Sequence, residues 1–272
     1  MKIFITGTGG FIGKHLLEFY QEHELFAHTR QMNIDEELQR FKPDVIINSA
    51  AEIYNPDAMW SSNVELTISC LGYAKQTHTK MIQIGSSSEY GPMPRASAET
   101  DAINPIDMYQ ATKGAATVLC QGYARQYKLD IAIARPYSVY GKYEKPHRLF
   151  PRLCRAFKNS EPMKLFQGYH DFIYIDDFIR GIDLLVNKTN MPLGDIVNFG
   201  SGIQYSNFAV LEIFEQLTGH AAPVELVDTM AKSFENDVWI CNTEYAEKQY
   251  GFKTKVDLRS GIEQLLTSDY YD

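Results

Sequence analysis

Apolar positions along the chain follow two alternating rhythms: short runs rich in β-branched residues, and longer stretches with apolar residues at helical spacing. Lys2-Ile3-Phe4-Ile5 has the composition of a buried strand, and the residues from Lys14 to His23 repeat at helical intervals. Leu25-Phe26-Ala27-His28 reads as a second short strand, and Pro43 to Ala51 as a buried strand ending in small residues. Met81 to Ile84 and Leu129 to Ala134 read as two further strands. Asn55 to His78 and Met108 to Tyr127 carry helical periodicity, with Asn55-Pro56 as a cap and first-turn pair. Met32 to Phe41 is brief, so the usual third strand of such a sheet must be shortened or lost. Strands alternating with helices in this way predict an α/β fold, a parallel sheet covered on both faces.

Between the first strand and the first helix lies Thr6-Gly7-Thr8-Gly9-Gly10-Phe11-Ile12-Gly13. Gly7, Gly10 and Gly13 suit a tight strand-to-helix turn, an approach of backbone amides to a pyrophosphate, and close helix–strand packing. The helix start then favours phosphate charge, so this stretch predicts a dinucleotide site. An acidic residue about twenty positions on would bind the adenosine ribose and favour NAD. Between Leu25 and Ile34 there is none; Thr29-Arg30 stands there instead, with Asn33 nearby. A guanidinium pairs with a 2′-phosphate, so NADP is expected over NAD, although an ordinary solvated arginine reads the same way. Ala50 and Ala51 let the chain pass close to the cofactor.

A second group of residues carries the chemistry. Tyr109 and Lys113 lie one helical turn apart and share a face. An ammonium beside a phenol favours phenolate, which makes Tyr109 a usable proton donor and acceptor, while the amine also reaches a nicotinamide ribose. Ser86, Ser87 and Ser88 end the strand before that helix, as hydrogen-bonding groups for a substrate oxygen or as a polar turn.

Bulk properties narrow the partners. The chain has 272 residues and 44% hydrophobic content, enough for one large domain or one and a half. A net charge of −8 argues against a nucleic-acid surface. Cys70, Cys120, Cys154 and Cys241 show no metal-type spacing, and a reducing compartment fits them. With no apolar run long enough to span a bilayer and no leader pattern, a soluble, cytoplasmic protein without metal is expected.

The glycine loop, the Ser-rich strand end and the Tyr109–Lys113 pair, in that order, resemble the extended short-chain dehydrogenase/reductase superfamily. Arg135-Pro136-Tyr137-Ser138-Val139-Tyr140-Gly141 resembles its Arg-Pro-x-Asn-x-Tyr-Gly turn, with Ser138 in place of Asn. His170-Asp171-Phe172 resembles its Arg-Asp-Phe stretch, with His170 in place of the arginine. Asn198-Phe199-Gly200-Ser201-Gly202 matches a late turn of the family. The resemblance implies a Rossmann-type doubly wound sheet over residues 1–150, with segments near 172–200 returning to it. Residues 151–272 would form a smaller, interleaved substrate lobe. It also implies that Ser86, four residues before the Tyr of Tyr90-Gly91, completes a catalytic set with Tyr109 and Lys113. Tyr137 joins the cofactor contacts; Ser87, Ser88, Ser138, Arg148 and His170 face substrate. Sister dehydratases carry an acidic pair directly after that serine. Here the pair is Ser87 and Ser88, with Glu89 one place late, which disfavours dehydration.

The shortened first half is most similar to nucleotide-sugar 4-keto reductases. The expected activity is therefore NADPH-dependent reduction of a nucleotide-activated 4-keto-6-deoxysugar. A C4 epimerase with bound NAD, or a non-catalytic dinucleotide-binding regulator, remains the alternative. A homodimer is expected, through Leu66, Ile68, Leu71, Val118 and Leu119 on the two long helices.

Overall fold

The computed structural model describes residues 1–230 and 238–268. Its first half alternates strand and helix: β1 (Lys2–Thr6), α1 (Phe11–Phe19), β2 (Glu24–His28), α2 (Ile34–Phe41) and β3 (Val45–Asn48). A helical stretch follows as α3 (Pro56–Trp60), a π-helical turn at Ser61–Glu65, and α4 (Leu66–Thr77). Then come β4 (Lys80–Ile84), a 3₁₀ turn at Ser87–Tyr90, α5 (Met108–Tyr127) and β5 (Ile131–Pro136). The second half holds β6 (Ser138–Tyr140), α6 (Leu149–Asn159), β7 (Met163–Gln167), β8 (Tyr169–Tyr174), α7 (Ile175–Asn187) and β9 (Asp195–Phe199). It closes with β10 (Gln204–Ser206), α8 (Asn207–Thr218), β11 (Val224–Met230), α9 (Glu244–Tyr250) and α10 (Leu258–Thr267).

Among the described residues, six parallel strands make the main sheet in the order β2-β1-β3-β4-β5-β9. This is a Rossmann-type α/β fold in which α2 leads straight to β3, without the third strand of a full doubly wound half. β9 joins the sheet from the second half of the chain, beside β5. Two small sheets, β10-β8-β6 and β11-β7, lie outside it.

The strands are buried on both faces, so their apolar runs do not alternate with polar residues. Ile3, Ile5, Val45, Ile47, Ile82 and Ile84 point into one core, which α1, α6 and α7 complete. Phe4, Ile46, Met81, Ile131 and Ile133 point into the other, under α2, α4 and α5. Leu71 belongs to that second core and is fully buried, so it leaves the stripe expected to pair two subunits. Trp60, Ile68 and Val118 stay exposed. No helix among the described residues is long and apolar enough to cross a membrane.

At the carboxyl ends of the strands the core becomes polar. Thr6 Oγ1 donates to Asn48 Oδ1 at 2.5 Å, and Asn48 Nδ2 donates to Gln83 Oε1 at 2.8 Å and Thr67 Oγ1 at 3.0 Å. These bonds tie the ends of β1, β3 and β4 together with both partners buried, which satisfies groups that burial would otherwise penalise. Asn63, in the π-helical turn, accepts from the Glu52 amide and donates to Thr112 Oγ1 at 3.0 Å. It joins the loop after β3 to α5, next to Lys113.

α7 rests on β9 through a glycine. A Cβ at Gly181 would stand 2.6 Å from the Phe199 ring, closer than packing allows. Gly181→Ala gains about 0.5–1 kcal/mol of helix propensity but overpacks a buried contact at about 1–3 kcal/mol. Urea unfolding should therefore show net destabilisation; a more stable variant would mean that α7 shifts freely on the sheet.

Candidate active site

The turn after β1 is built by close backbone approach. Gly7 has φ +71, and a Cβ there would meet Ala50 backbone atoms at 2.6 Å. A Cβ at Gly13 would come within 2.2 Å of the Gly7 carbonyl, so α1 can start here only on glycine. Gly10 caps α1 without a side chain, and the first turn of the helix carries no acidic residue. Its amides therefore face the turn with no competing carboxylate, an anion cradle that fits the pyrophosphate of a dinucleotide. The loop at Ala50 and Ala51 passes directly beside it, as the small residues implied.

The adenosine end of this groove differs from expectation. Arg30 Nη2 donates to Glu52 Oε2 at 2.9 Å, while Glu52 Oε1 accepts from the amides of Ile53, Tyr54 and Asn55. The Tyr54 amide and Arg30 hold the Glu52 carboxyl down to about 2. An acidic residue does stand beside Arg30, in the loop after β3, and Arg30 carries a counter-ion. Asn33 is engaged elsewhere, as the cap of α2, where it accepts from the Asp35 amide and donates to Glu36. Tyr137 is buried in the interior, its amide bonded to the Phe199 carbonyl.

The three groups singled out for chemistry converge where β4 meets α5. Ser86 caps the 3₁₀ turn, its Oγ accepting from the Ser88 amide at 3.2 Å and lying 2.7 Å from Ser88 Oγ. Ser87 is buried. Tyr109 is half-buried, with the Ser86 hydroxyl near enough to act on its phenol. Burial pushes its phenol up; the Ser86 hydroxyl and the Arg148 charge pull the other way, and Glu89 and Asp107 push up again. Lys113 is not the group that lowers the Tyr109 pKa. Its ammonium donates to the Ile84 carbonyl, and burial brings it down to about 8, against an upward pull from Glu89. The expected ammonium–phenol coupling is replaced by a backbone anchor, because α5 lies directly against the end of β4.

Behind Ser86 stands a buried ion pair that the sequence reading did not single out as a site. Glu89 Oε1 accepts from the Ser86 amide at 2.7 Å, and Oε2 accepts from Arg135 at 2.7 and 3.0 Å. The Ser-x-x-Glu spacing of a capping box was its signal. Glu52, directly after Ala50-Ala51, had none. Of the substrate candidates, Arg148 leads into α6 and pairs with Glu144 at 3.3 Å, and Ser138 Oγ lies 3.3 Å from His170 Nδ1.

The family model of the NAD dependent epimerase/dehydratase family matches residues 3–200. The chain belongs to this family. Over 96% of both chains it is 26% identical to the "Uncharacterized UDP-glucose epimerase YtcB" of Bacillus subtilis. It is 28% identical to the UDP-glucuronate 4-epimerase of Thermodesulfobacterium geofontis, over 79% of this chain and 67% of that protein. Among solved structures, a Bacillus cereus UDP-glucuronic acid 4-epimerase, in complex with UDP-glucuronic acid and NAD, superposes with a TM-score of 0.86. That match is 24% identical and covers 100% of this chain and 98% of the other. The family places the chain among nucleotide-sugar enzymes of the extended short-chain dehydrogenase/reductase type.

The buried Lys113 predicts a pH signature in stability. Its folded pKa of about 8 lies below the ordinary 10.5, so between those values the unfolded chain binds the extra proton and stability rises with pH. Replacing it by methionine removes that term. The stability of Lys113→Met relative to wild type, from urea titrations, should fall by on the order of 3 kcal/mol between pH 7 and 10.5. A difference that stays flat with pH would place the amine in water.

Proposed function

We propose that the protein is a C4 epimerase of a UDP-activated sugar with tightly held NAD. The observation that carries this over the 4-keto reductase first expected is the near full-length similarity to a UDP-glucose epimerase, joined by that to a UDP-glucuronate 4-epimerase. Two details support it. The Glu52 carboxylate on Arg30 takes away the free guanidinium on which the NADP expectation stood, since a 2′-phosphate would meet a carboxylate there. Glu89, the nearest acid to Ser86, is committed to Arg135 and the Ser86 amide, so no carboxylate follows Ser86 to move protons for a dehydration.

Gly7, Gly10, Phe11, Ile12 and Gly13 would hold the pyrophosphate, Ala50 and Ala51 the adjoining face, and Lys113 the nicotinamide ribose. Bound NAD supplies a reversible hydride acceptor. Burial by itself keeps the Tyr109 phenol neutral, so it would act as base only with the positive charge of the bound cofactor beside it. It would then take the proton from the sugar 4-hydroxyl, while Ser86 hydrogen-bonds the same oxygen. When the sugar presents its other face, Tyr109 returns that proton to the same oxygen, so no net reductant is used. Arg148, with one edge on Glu144 and the rest in solvent, would meet the diphosphate in place of the family arginine that His170 replaces. Ser87, Ser88, Ser138 and His170 would line the sugar side. Residues 151–272 would form the substrate lobe apart from α7 and β9, which return to the main sheet; 231–237 and 269–272 lie outside the described residues. The four free, buried cysteines support a reducing, cytoplasmic setting.

Incubation with UDP-glucuronate and UDP-glucose, followed by NMR of the sugars, should show interconversion at C4 without net consumption of NAD(H). Stoichiometric NADPH oxidation on a 4-keto sugar, with no epimer formed, would restore the reductase. Tyr109→Phe should cut turnover by about two to four orders of magnitude while bound NAD stays at wild-type content. Retained turnover would end the assignment and move the regulatory reading ahead.

The exposed Trp60, Ile68 and Val118 on neighbouring helices support a homodimer across a two-fold axis. Sedimentation should give a dimer at micromolar concentration, and Val118→Glu should give a folded monomer. A wild-type monomer would remove the interface.

A further inference from the structure

Glu89 and Arg135 are exposed by 0% and 1%, and between them they occupy the wall behind Ser86. Both Nε and Nη2 of Arg135 donate to Glu89 Oε2, while Nη1 finds no hydrogen-bond acceptor. The Tyr90 ring lies 4.5 Å over the guanidinium, and its hydroxyl donates to Asn198 Oδ1 at 2.8 Å. Gly85 makes room for the pair: a Cβ there would stand 2.7 Å from Glu89 Oε1 and 3.1 Å from Arg135 Cγ. Moving two charges out of water costs more than well-packed neutral side chains would, so stability alone does not account for this arrangement.

Its reach is toward the chemistry. Glu89 Oε1 clamps the Ser86 amide, and Ser86 returns a bond to the Ser88 amide, so the serine is locked from both sides in an extended conformation (φ −158, ψ 138). An exposed capping box frays; this one is backed by a guanidinium and closed to water. Glu89 is also the acid that both Tyr109 and Lys113 feel: burial pushes the phenol up and the ammonium down, and Glu89 adds to the first shift and opposes the second. The other charged or titratable groups acting are Arg148 and Asp107 on Tyr109, and Cys120 on Lys113.

We propose that Glu89 and Arg135 are positioning residues for this site: together they hold the Ser86 hydroxyl beside Tyr109 and keep a fixed negative charge behind the phenol and the ammonium. Neither touches substrate. The role rests on the reading of Ser86, Tyr109 and Lys113 as the reacting groups.

The test uses the full chain with NAD bound and tyrosines labelled with ¹³C at Cζ. Of the 17 tyrosine signals, that of Tyr109 is the one missing from Tyr109→Phe. Glu89→Gln keeps the shape and removes the charge, so the Tyr109 titration should move down by about one pH unit. Plateau turnover should fall by about a hundredfold, with KM changed less than about threefold, because orientation rather than binding is lost. That variant leaves Arg135 unpaired, so Glu89→Gln with Arg135→Gln is measured beside it. The double variant should recover thermal stability toward wild type, yet keep the lowered Tyr109 titration and the lowered turnover. Wild-type turnover in the folded double variant would overturn the proposal. So would a Tyr109 titration unmoved in both variants, which would reduce the pair to a structural prop. The titration needs no substrate, so it decides the matter even if the wild type epimerises none of the sugars tried.

Discussion

The site depends on how closely two backbones can approach at the ends of β1 and β3. With Gly7 held at φ +71 against Ala50, and Gly13 against the Gly7 carbonyl, α1 begins almost in contact with the strands it follows. Any side chain at either position would push the helix away and open the cradle of amides at its start. The buried ladder of Thr6, Asn48, Thr67 and Gln83 works to the same end from beneath. It fixes the strand ends laterally, so that the turn, the Ala50–Ala51 loop and the end of β4 keep their spacing. The glycine turn and the Ser86–Tyr109 corner are then two parts of one rim.

On that rim, burial does more to set the charges than neighbouring ions do. Desolvation is the largest influence on Tyr109 and Lys113 alike, and it favours the neutral form of each. The groups opposing it are few and specific: the Ser86 hydroxyl and Arg148 for the phenol, Glu89 and Cys120 for the ammonium. Burying an ammonium costs stability, as the lowered pKa of Lys113 shows. Cofactor and substrate, which exclude water and bring charge, would act on groups already poised by their surroundings rather than by one another.

The same view bears on the chemistry proposed here. Which protons can move is decided by where the nearest carboxylate points, and Glu89 points away from the cleft into Arg135. The chain builds its main sheet economically. The direct passage from α2 to β3 is one place where it is economical. The six-stranded sheet survives because β9 returns from the second half to cover β5.

By itself the sequence determined what is local in the chain. The two periodicities placed β1 to β5 and the long helices, since strand and helix differ in repeat and both faces of the sheet need apolar residues. Gly7, Gly10 and Gly13 marked the turn, and the order of glycine loop, serines and Tyr109–Lys113 marked the candidate corner where β4 meets α5, because each motif lies within one or two elements. The tertiary structure alone decided what depends on residues far apart in sequence meeting. Arg30 looked free for a phosphate until Glu52, 22 positions later, was found on it. Lys113 looked like a partner of Tyr109 by helical spacing, but the Ile84 carbonyl, on the neighbouring strand, claims its protons. Leu71 looked available to a second subunit, yet it fills the core beneath α4. Spacing along a helix fixes which face a side chain shares; only packing decides what that face meets.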